Sequence, residues 1–262
     1  MSLPTIQAHA KVNIFLKITG YENGYHTLLS RFMRVEDLYD TLTFVPHTGD
    51  AFIIEGCEDV PTQSNTIYKA YRALLEHTGS KRLEHFFDVH KVVVEKHIPS
   101  QAGLGGGSSD AAAFMRLVNE VCELHIGIPT LSRIGSTIGA DLPFFIHNYP
   151  SANISGFGEI VEPFDETPLP LELYTPDIGC DTALVYQTFK AYLLEKILPC
   201  TFEGWERYRS AELLELIADP ILLNDLYAAA RIAYPALKEK APEGWFFSGS
   251  GSTFFRMKNE EF

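Results

Sequence analysis

Apolar and polar residues alternate along the first long segment of the chain, between Ile6 and Ile18. The even positions are all apolar, and the odd positions are polar except for Phe15. A period of two residues is that of a β-strand with one buried face, so the pattern predicts a strand. Lys11 and Asn13 then share the face opposite the core. Spacing alone leaves open whether they are solvated surface residues or functional groups.

Shorter patterns predict further elements in the first half of the chain. Asn23-Gly24 is typical of a hairpin turn, and a second strand is expected to end near Val45-Pro46. Ser64-Asn65 predicts the start of a helix. The β-rich run 88–98 is stopped by Pro99. The expected buried face of the helix consists of Ile67, Ala70, Tyr71 and Leu74.

Prolines cluster between residues 163 and 176, after two glycines at 156 and 158, and we place a domain boundary near residue 155. This predicts an N-terminal domain over 1–155 and a C-terminal domain over 156–262. The patterns of the second domain predict three helices and two short strands around a Ser-Gly-Ser-Gly-Ser turn. Their expected ranges are 183–197, 210–218, 225–238, Trp245–Phe247 and Thr253–Met257.

A glycine-rich loop stands between the β-rich run and an amphipathic helix. Four of the five residues from Gly103 to Gly107 are glycine, and Ser109 or Asp110 is expected to cap the helix that follows. Glycines let a backbone approach a ligand closely, and a helix start offers N–H donors and partial positive charge. The segment is therefore a candidate phosphate site. The alternative is a tightly turned loop without a ligand.

Three familiar nucleotide loops do not fit these glycines. The P-loop requires Gly-Lys-Ser/Thr, and no lysine follows here. The dinucleotide pattern G-x-G-x-x-G fails because a frame that starts at Gly103 ends on Ser108. The protein-kinase loop fails for the same reason, and the chain has no H-R-D or D-F-G partner.

Composition narrows the class of partner. The 262 residues include 21 Lys plus Arg and 34 Asp plus Glu, for a net charge of −13. Because nucleic acids and anionic membranes select basic surfaces, we expect neither as a partner. No apolar run approaches the roughly 18 residues of a membrane span, and the N-terminal residues do not resemble a signal peptide. The four cysteines are at least 20 residues apart, so we expect a reduced, cytoplasmic protein.

Five separated motifs resemble those of the galactokinase, homoserine kinase, mevalonate kinase and phosphomevalonate kinase superfamily. They are most similar to the branch that phosphorylates 4-diphosphocytidyl-2-C-methyl-D-erythritol. One departure is Gln101-Ala102, where the branch often has glycine. The motifs are Ala-Lys-Val-Asn-Ile-Phe-Leu at 10–16, Gly-Tyr-His-Thr-Leu at 24–28, the glycine loop at 99–112, Gly-Ala-Asp-Leu-Pro-Phe-Phe at 139–145, and Ser-Gly-Ser-Gly-Ser-Thr-Phe at 248–254.

The resemblance implies an α+β, two-domain small-molecule kinase with its active site in the cleft between an ATP-binding and a substrate domain. It implies that ATP and Mg²⁺ are used to phosphorylate a hydroxyl of the cytidine diphosphate methylerythritol substrate, in non-mevalonate isoprenoid synthesis. Another small-molecule kinase of the superfamily and a non-catalytic ligand sensor are the alternatives. The sequence leaves monomer and homodimer open.

The resemblance also implies roles for individual residues. Asp141 is the expected base or hydroxyl-orienting group, and Lys11 its cationic partner. Mg²⁺ is expected to bind together with ATP, and its protein ligand is left open, with Ser108 and Ser109 as the two candidates. The expected substrate contacts are Asn13, Tyr25, His26, Tyr186 and Thr182. Tyr186 also fits an ordinary helix residue. The Ser248–Ser252 turn is expected to lie near the acceptor, and the alternative is a plain hairpin. The expected ATP contacts are Asn65, Lys96, Pro99, Gly103, Leu104, Gly105, Gly106, Gly107, Ser108 and Ser109.

Overall fold

The computed structural model of the chain describes residues 4–49, 51–196 and 202–258. Strands and helices are mixed along these ranges, with short 3-10 turns between some of them. The strands are β1 Thr5–Glu22, β2 Tyr25–Pro46, β3 Ile54–Glu55, β4 His90–Glu95, β5 Ser151–Gly156, β6 Ile160–Pro163, β7 Leu171–Tyr174, β8 Phe246–Phe247 and β9 Phe254–Met257. The helices are α1 Thr66–Thr78, α2 Lys81–Asp88, α3 Gly106–Val121, α4 Ile128–Ser136, α5 Leu142–His147, α6 Thr182–Tyr192, α7 Ser210–Ile217, α8 Pro220–Leu223, α9 Asp225–Ala233 and α10 Leu237–Lys240.

The chain forms two compact units, each assembled from separated segments. The strands β1 and β2 pair with each other, and each contributes residues to both units. The first unit takes the segment that ends at Ala10, Glu36–Ile98 and Gly106–Asn148, and the second takes Lys11–Val35, Pro99–Gly105 and the segment that starts at Tyr149. The division at residue 155 stays a prediction about functional domains, since these compact units are not continuous stretches of chain.

The first unit combines part of the larger sheet with the helices α1 to α5. The second half of β2 pairs antiparallel with β4, from Thr41 opposite Glu95 to Pro46 opposite His90, and β3 runs parallel to β4. Helix α3 packs between α1 and α5, and α4 packs on α5. Phe44, Phe87 and Phe114 contact one another in its core.

The second unit contains the other half of that sheet and a smaller one. The first half of β2 pairs antiparallel with β5, which pairs with β6, and a separate sheet has the order β7-β9-β8. Helix α6 packs on α9. The fully buried Arg31 donates to Asn153 Oδ1 at 2.7 Å and to the Glu206 carbonyl at 2.7 Å. Burial lowers the pKa of Arg31 to about 10, although the nearby Glu166 opposes the change.

Several expected elements are confirmed. The alternating segment lies in β1, and Asn23 and Gly24 form the hairpin turn with φ of 51° and 88°. Positive φ at both central residues matches the twist of the two strands. Asn65 caps α1 by accepting a hydrogen bond from Ile67 N, and all four residues of the expected helix face are buried. The stretches predicted at 183–197 and 210–218 correspond to α6 and α7, while residue 197 lies outside the described residues.

Two expectations about helix ends are wrong. Helix α3 begins at Gly106, so Ser109 and Asp110 lie inside the helix and do not cap it. The helix predicted over 225–238 ends at Ala233 because Tyr234, which precedes Pro235, has the non-helical angles φ −128° and ψ 79°. The residue before a proline is sterically restricted to such angles.

Candidate active site

Lys11 and Asn13 are buried, which excludes a solvated surface for this face of β1. Their exposed fractions are 3% and 1%. Lys11 Nζ donates to Asn13 Oδ1 at 2.7 Å and to the Gly103 carbonyl at 3.0 Å, and it lies 4.7 Å from the centroid of the Phe32 ring. A buried ammonium needs such acceptors to offset its lost hydration. The pair is therefore not part of a solvated strand face.

The first half of the glycine loop is attached to β1 and to the turn that contains Ser248. Gly103 and Gly105 have φ of 74° and 73°, which favours glycine. The Gly103 carbonyl accepts hydrogen bonds from both Lys11 Nζ and Ser248 Oγ, each at 3.0 Å. A Cβ on Gly103 would overlap the Ser248 carbonyl oxygen. Glycine is thus required by close packing as well as by backbone angle.

The departure at Gln101 also has a backbone consequence. Gln101 adopts a positive φ of 52°, which explains why glycine suits this position. Its carbonyl accepts from Cys180 N at 3.0 Å, so the loop entrance is held on the segment before α6. Gly103 and Gly105, which follow, also have positive φ.

The Ser248–Ser252 turn is more than a plain hairpin. Ser248 Oγ lies 3.3 Å from Asn13 N, and a Cβ on Gly249 would be 3.1 Å from Asn13 Oδ1. Ser250 Oγ and Thr182 Oγ1 are 2.8 Å apart. The second unit therefore brings Lys11, Asn13, Gly103, Thr182 and this turn into one connected group of contacts.

Two polar residues that support this group were missed by the sequence interpretation. Ser30 Oγ accepts from Asn13 Nδ2 at 3.0 Å and donates to the Phe15 carbonyl. Asn224 Nδ2 donates to the carbonyls of Phe247 at 2.8 Å and Gly249 at 2.9 Å. The only signal available was a short polar side chain next to an apolar run, which is common in any chain.

The second half of the glycine loop opens α3 in the first unit. The Gly107 carbonyl accepts from Thr66 Oγ1 at 2.7 Å, which connects the start of α3 to the start of α1. A Cβ on Gly106 would lie 3.0 Å from the Ile98 side chain and 3.6 Å from Lys96 Nζ. Ser109 Oγ donates to the His9 carbonyl at 2.7 Å and is 2% exposed, whereas Ser108 is half-buried.

Lys96 lies between two buried carboxylates near that helix start. Its Nζ contacts Asp40, which is fully buried, and donates to Asp110 Oδ2 at 2.7 Å. Asp40 also accepts from the backbone N–H groups of His97 at 2.5 Å and Ile98 at 2.8 Å. It therefore fixes both Lys96 and the end of the segment that leads to the glycine loop. Sequence reasoning missed Asp40, which is one of three acids in β2, together with Glu36 and Asp37.

Burial dominates the electrostatics of this carboxylate pair. It raises the pKa of Asp110 to about 7, Lys96 opposes the change and Asp40 reinforces it. Burial alone would lower the pKa of Lys96, but the attraction of Asp110 and Asp40 outweighs it and raises that pKa. Asp110 Oδ1 is buried and has no hydrogen-bond partner within the described residues.

Asn65 and Asp141, the other two sequence candidates of the first unit, stand at helix starts. Asn65 is 7% exposed, and its Oδ1 is used to cap α1. Asp141 is half-buried and precedes α5, but its side chain makes no capping hydrogen bond there. Pro143 occupies the first turn of α5, and the helix residues after Asp141 up to Ile146 are buried. Burial of α5 thus fixes the position of the Asp141 backbone.

Two candidates for the cytidine end, His26 and Tyr186, lie together in the second unit, whereas the Tyr25 ring lies beside Phe157. The His26 ring centroid is 5.2 Å from that of Tyr186 and 4.9 Å from that of Tyr21. Tyr25 is 69% exposed, and its ring lies 6.1 Å from Phe157. His26 Nε2 is buried without a hydrogen-bond partner in the described part of the chain. Burial, and then the charge of Lys190, lowers the pKa of His26.

The described residues contain no group of three or more His, Cys, Asp or Glu side chains arranged to hold a metal ion. Magnesium binds with few protein oxygens when phosphates and waters complete its shell. Ser109 is 2% exposed, whereas the hydroxyl of the half-buried Ser108 is the more accessible oxygen for such an ion. No helix in the described ranges is both long and apolar enough to cross a membrane.

Comparison with known proteins identifies the family. The family described as GHMP kinases N terminal domain matches residues 65–149. A Sulfurovum sp. (strain NBC37-1) protein named 4-diphosphocytidyl-2-C-methyl-D-erythritol kinase is 67% identical over 97% of this chain and 99% of its own. The chain belongs to the 4-diphosphocytidyl-2-C-methyl-D-erythritol kinase family. A protein of that name from Sulfurimonas denitrificans (strain ATCC 33889 / DSM 1251) is 43% identical over 100% of this chain and 99% of its own.

A solved structure agrees with this membership. The crystal structure of a 4-(cytidine 5'-diphospho)-2C-methyl-D-erythritol kinase aligns with a TM-score of 0.69 and 27% identity, over 98% of this chain and 90% of that one. The α+β fold class and the membership in a small-molecule kinase family expected from the sequence are confirmed. The roles of individual site residues stay predictions.

Proposed function

We propose that this protein transfers the γ-phosphoryl group of ATP to the 2-hydroxyl of 4-diphosphocytidyl-2-C-methyl-D-erythritol, a step of non-mevalonate isoprenoid synthesis. Family membership supports the reaction. The structural observation that carries the proposal is the 3.0 Å hydrogen bond from the buried Lys11 ammonium to the Gly103 carbonyl. This bond connects a cation on β1 with a glycine-rich loop. Phosphoryl transfer needs a cation to stabilise the developing charge and a loop to position the phosphates.

The proposed chemistry assigns different tasks to Asp141 and Lys11. Asp141 accepts the proton of the substrate hydroxyl or orients that hydroxyl for in-line attack. Lys11 stabilises the negative charge that develops as the hydroxyl oxygen loses its proton. Asn13 and Ser248 hold the Lys11 ammonium and the loop backbone in place through the contacts described above. Because these partners are already in place, little reorganisation is needed at the moment of transfer.

The nucleotide phosphates are proposed to bind at the glycine loop and at the start of α3. Free N–H groups at a helix start and a positive helix dipole favour an anion in an acidic protein. Mg²⁺ bound with ATP neutralises phosphate charge, and Ser108 is the proposed protein oxygen for it. Asn65 and Lys96 are the proposed residues near the adenosine, with Lys96 positioned by Asp40 and Asp110. The Leu104 carbonyl accepts from Lys11 N at 3.0 Å and Gly105 has a φ of 73°, so both residues fix the course of the loop.

The cytidine end is proposed to bind at Tyr25, His26 and Tyr186. The exposed Tyr25 ring offers a stacking surface, and a base stacked on an aromatic side chain contributes about 1–3 kcal/mol. The unpartnered His26 Nε2 offers a polar contact to the base. Thr182 and Asn13 are the proposed contacts to the rest of the substrate. We further propose a cytoplasmic reaction, which the free thiols of Cys57, Cys122 and Cys180 support.

The experiment that tests this function measures ADP release with Mg-ATP and each of three alcohols. These are the cytidine diphosphate methylerythritol substrate, homoserine and mevalonate. We expect turnover with the first alone, and Tyr25→Ala should raise its KM roughly 5- to 100-fold through lost stacking. Turnover with homoserine or mevalonate would favour another kinase of the superfamily. ATP binding without turnover on any of the three would favour a sensor.

A further inference from the structure

The His26 imidazole is enclosed by three aromatic side chains of the second unit. Tyr21, near the end of β1, meets it edge-on with a centroid distance of 4.9 Å and an interplanar angle of 66°. Tyr186 lies at 5.2 Å and Phe189 at 5.7 Å, both on α6. Two elements that are distant in sequence therefore fix the orientation of one ring.

Lys190 joins these two elements through Tyr21. Its Nζ donates to the Tyr21 hydroxyl at 2.7 Å and lies 4.3 Å from the centroid of that ring. Lys190 is four residues after Tyr186, so both project from the same side of α6. We call this pair the Tyr21–Lys190 clasp. Exposed lysines seldom hold a fixed partner, but here a hydrogen bond and a cation–π contact act on the same ring.

We propose that Tyr21 and Lys190 are positioning residues for pyrimidine recognition, which hold the His26 imidazole in one orientation and in its neutral form so that Nε2 reads the base. The inference rests on the proposed cytidine substrate. It adds two residues that none of the family motifs contains. Both act through His26 and need not touch the base themselves.

The chemistry of cytosine explains why a neutral imidazole matters. The pairing edge of cytosine carries an amino donor beside acceptors, and a neutral imidazole offers one donor and one acceptor. A protonated imidazole offers only donors, so it can no longer accept a hydrogen bond from the amino group of cytosine. The titratable groups facing His26 are Tyr21, Tyr186 and Lys190, and the Lys190 cation adds to burial in favouring the neutral ring.

The test compares Lys190→Met and Tyr21→Phe with Lys238→Met as the matched control. Lys238 is an exposed lysine on α10 of the same unit. Steady-state kinetics from pH 5.5 to 8.5 would give kcat, the KM for the cytidine substrate and the KM for ATP. Calorimetry with CDP, at the same pH values, would measure binding of the base and diphosphate without turnover.

We expect Lys190→Met to raise the KM for the cytidine substrate about 3- to 20-fold while kcat and the KM for ATP stay within twofold. The acid limb of kcat/KM should move to higher pH, because loss of the cation lets the His26 pKa rise. Tyr21→Phe removes the acceptor for Lys190 and should weaken CDP binding in the same direction. Lys238→Met should behave as the wild type.

The outcomes separate this inference from the proposed function. A wild-type protein that does not phosphorylate the cytidine substrate overturns the function, and CDP calorimetry still tests the clasp. Lys190→Met that matches Lys238→Met in KM, CDP affinity and pH profile overturns the clasp alone. An equal rise in the KM for ATP and for the cytidine substrate also overturns it, since that result means a general disturbance of the fold.

Discussion

The side-chain amide of Asn224 donates a 2.9 Å hydrogen bond to the carbonyl oxygen of Gly249. The same amide reaches Phe247, while Asn224 Oδ1 accepts from Leu226 N at the start of α9. One side chain, only 1% exposed, therefore caps a helix and fixes the first half of the Ser248–Ser252 turn. Because that turn contacts Asn13, the amide also governs the surroundings of Lys11.

Replacing Asn224 with aspartate should lower kcat more than Asn119→Asp, the matched change in the first unit. Aspartate keeps the oxygen that caps α9, but it replaces the amide donor that faces the Phe247 and Gly249 carbonyls with a second oxygen. We therefore expect a stability loss of about 1–3 kcal/mol. We also expect kcat to fall about tenfold or more, because a displaced turn misplaces the groups around Lys11. Urea unfolding and ADP-release kinetics would measure the two effects.

The control for Asn224→Asp is Asn119→Asp. Asn119 has the same kind of paired backbone contacts, to Ile126 N at 2.9 Å and Ile126 O at 3.0 Å, but in the first unit and outside the groups proposed for catalysis. It should lose stability with kcat almost unchanged. If both variants lose stability and neither loses kcat, the turn has no part in catalysis.

The strand β1 shows how far the sequence can be interpreted. Alternation predicted the strand and put Lys11 and Asn13 on one face. It could not predict that this face is also buried, because Gly103 and Ser248, which cover it, come from segments about 90 and 235 residues away. Local pattern reports the geometry of a strand, whereas the burial of its second face depends on tertiary packing.

The first unit gives the same lesson for charged residues. The motif resemblance selected Lys96, but nothing local marked Asp40 as its partner, and the expectation for Asp110 was a helix cap. Both acids become partners of Lys96 only because the fold brings their carboxylates into contact with its ammonium group. Motifs therefore predicted the residues that are proposed to contact ligands. The structure was needed to find Asp40 and Asp110, which hold one of those residues in place.

The second prediction concerns Asp141, the proposed base. Asp141→Asn keeps the size of the side chain but removes its ability to accept a proton, so kcat should fall roughly 10²- to 10⁴-fold with a smaller change in KM. Because the side chain keeps its size, the backbone position that the burial of α5 fixes should be retained. Circular dichroism and ATP binding would check that the variant is intact. An unchanged kcat would refute the role.

The third prediction concerns Gly103. A Cβ at this position meets the Ser248 carbonyl, and φ is 74°, so Gly103→Ala should displace the loop from the turn and from Lys11. We expect the KM for ATP to rise about tenfold or more, together with a stability loss of about 1–3 kcal/mol. Initial rates against ATP concentration and thermal unfolding would give both values.

Gly204→Ala is the control for Gly103→Ala. Gly204 also has a positive φ, 87°, but a Cβ there meets no atom within 4 Å among the described residues. It isolates the cost of the backbone angle, about 1 kcal/mol, from the cost of the collision. If the two variants have the same KM for ATP, close packing of Gly103 does not shape the phosphate site.

The last prediction concerns the pH dependence that Asp110 gives to stability. Its pKa is about 7 in the folded protein and 3.8 as an ordinary aspartate, so between these values the folded state binds more protons than the unfolded state. The contribution of Asp110 to stability should therefore fall as pH rises from about 4 to about 7, with a slope of roughly 1 kcal/mol per pH unit. Asparagine does not titrate, so Asp110→Asn lacks this contribution.

Urea unfolding of the wild type and Asp110→Asn at pH values from 4 to 8 would measure the effect as a difference between two curves. The variant should gain stability relative to the wild type up to about pH 7, and the difference should then level off. Asp177→Asn, at an exposed position, serves as the control for the effect of the substitution itself. Parallel curves for Asp110→Asn and the wild type would mean that Asp110 stays ionised beside Lys96 throughout this range. In that case the attraction between the two charges outweighs the cost of burying the carboxylate.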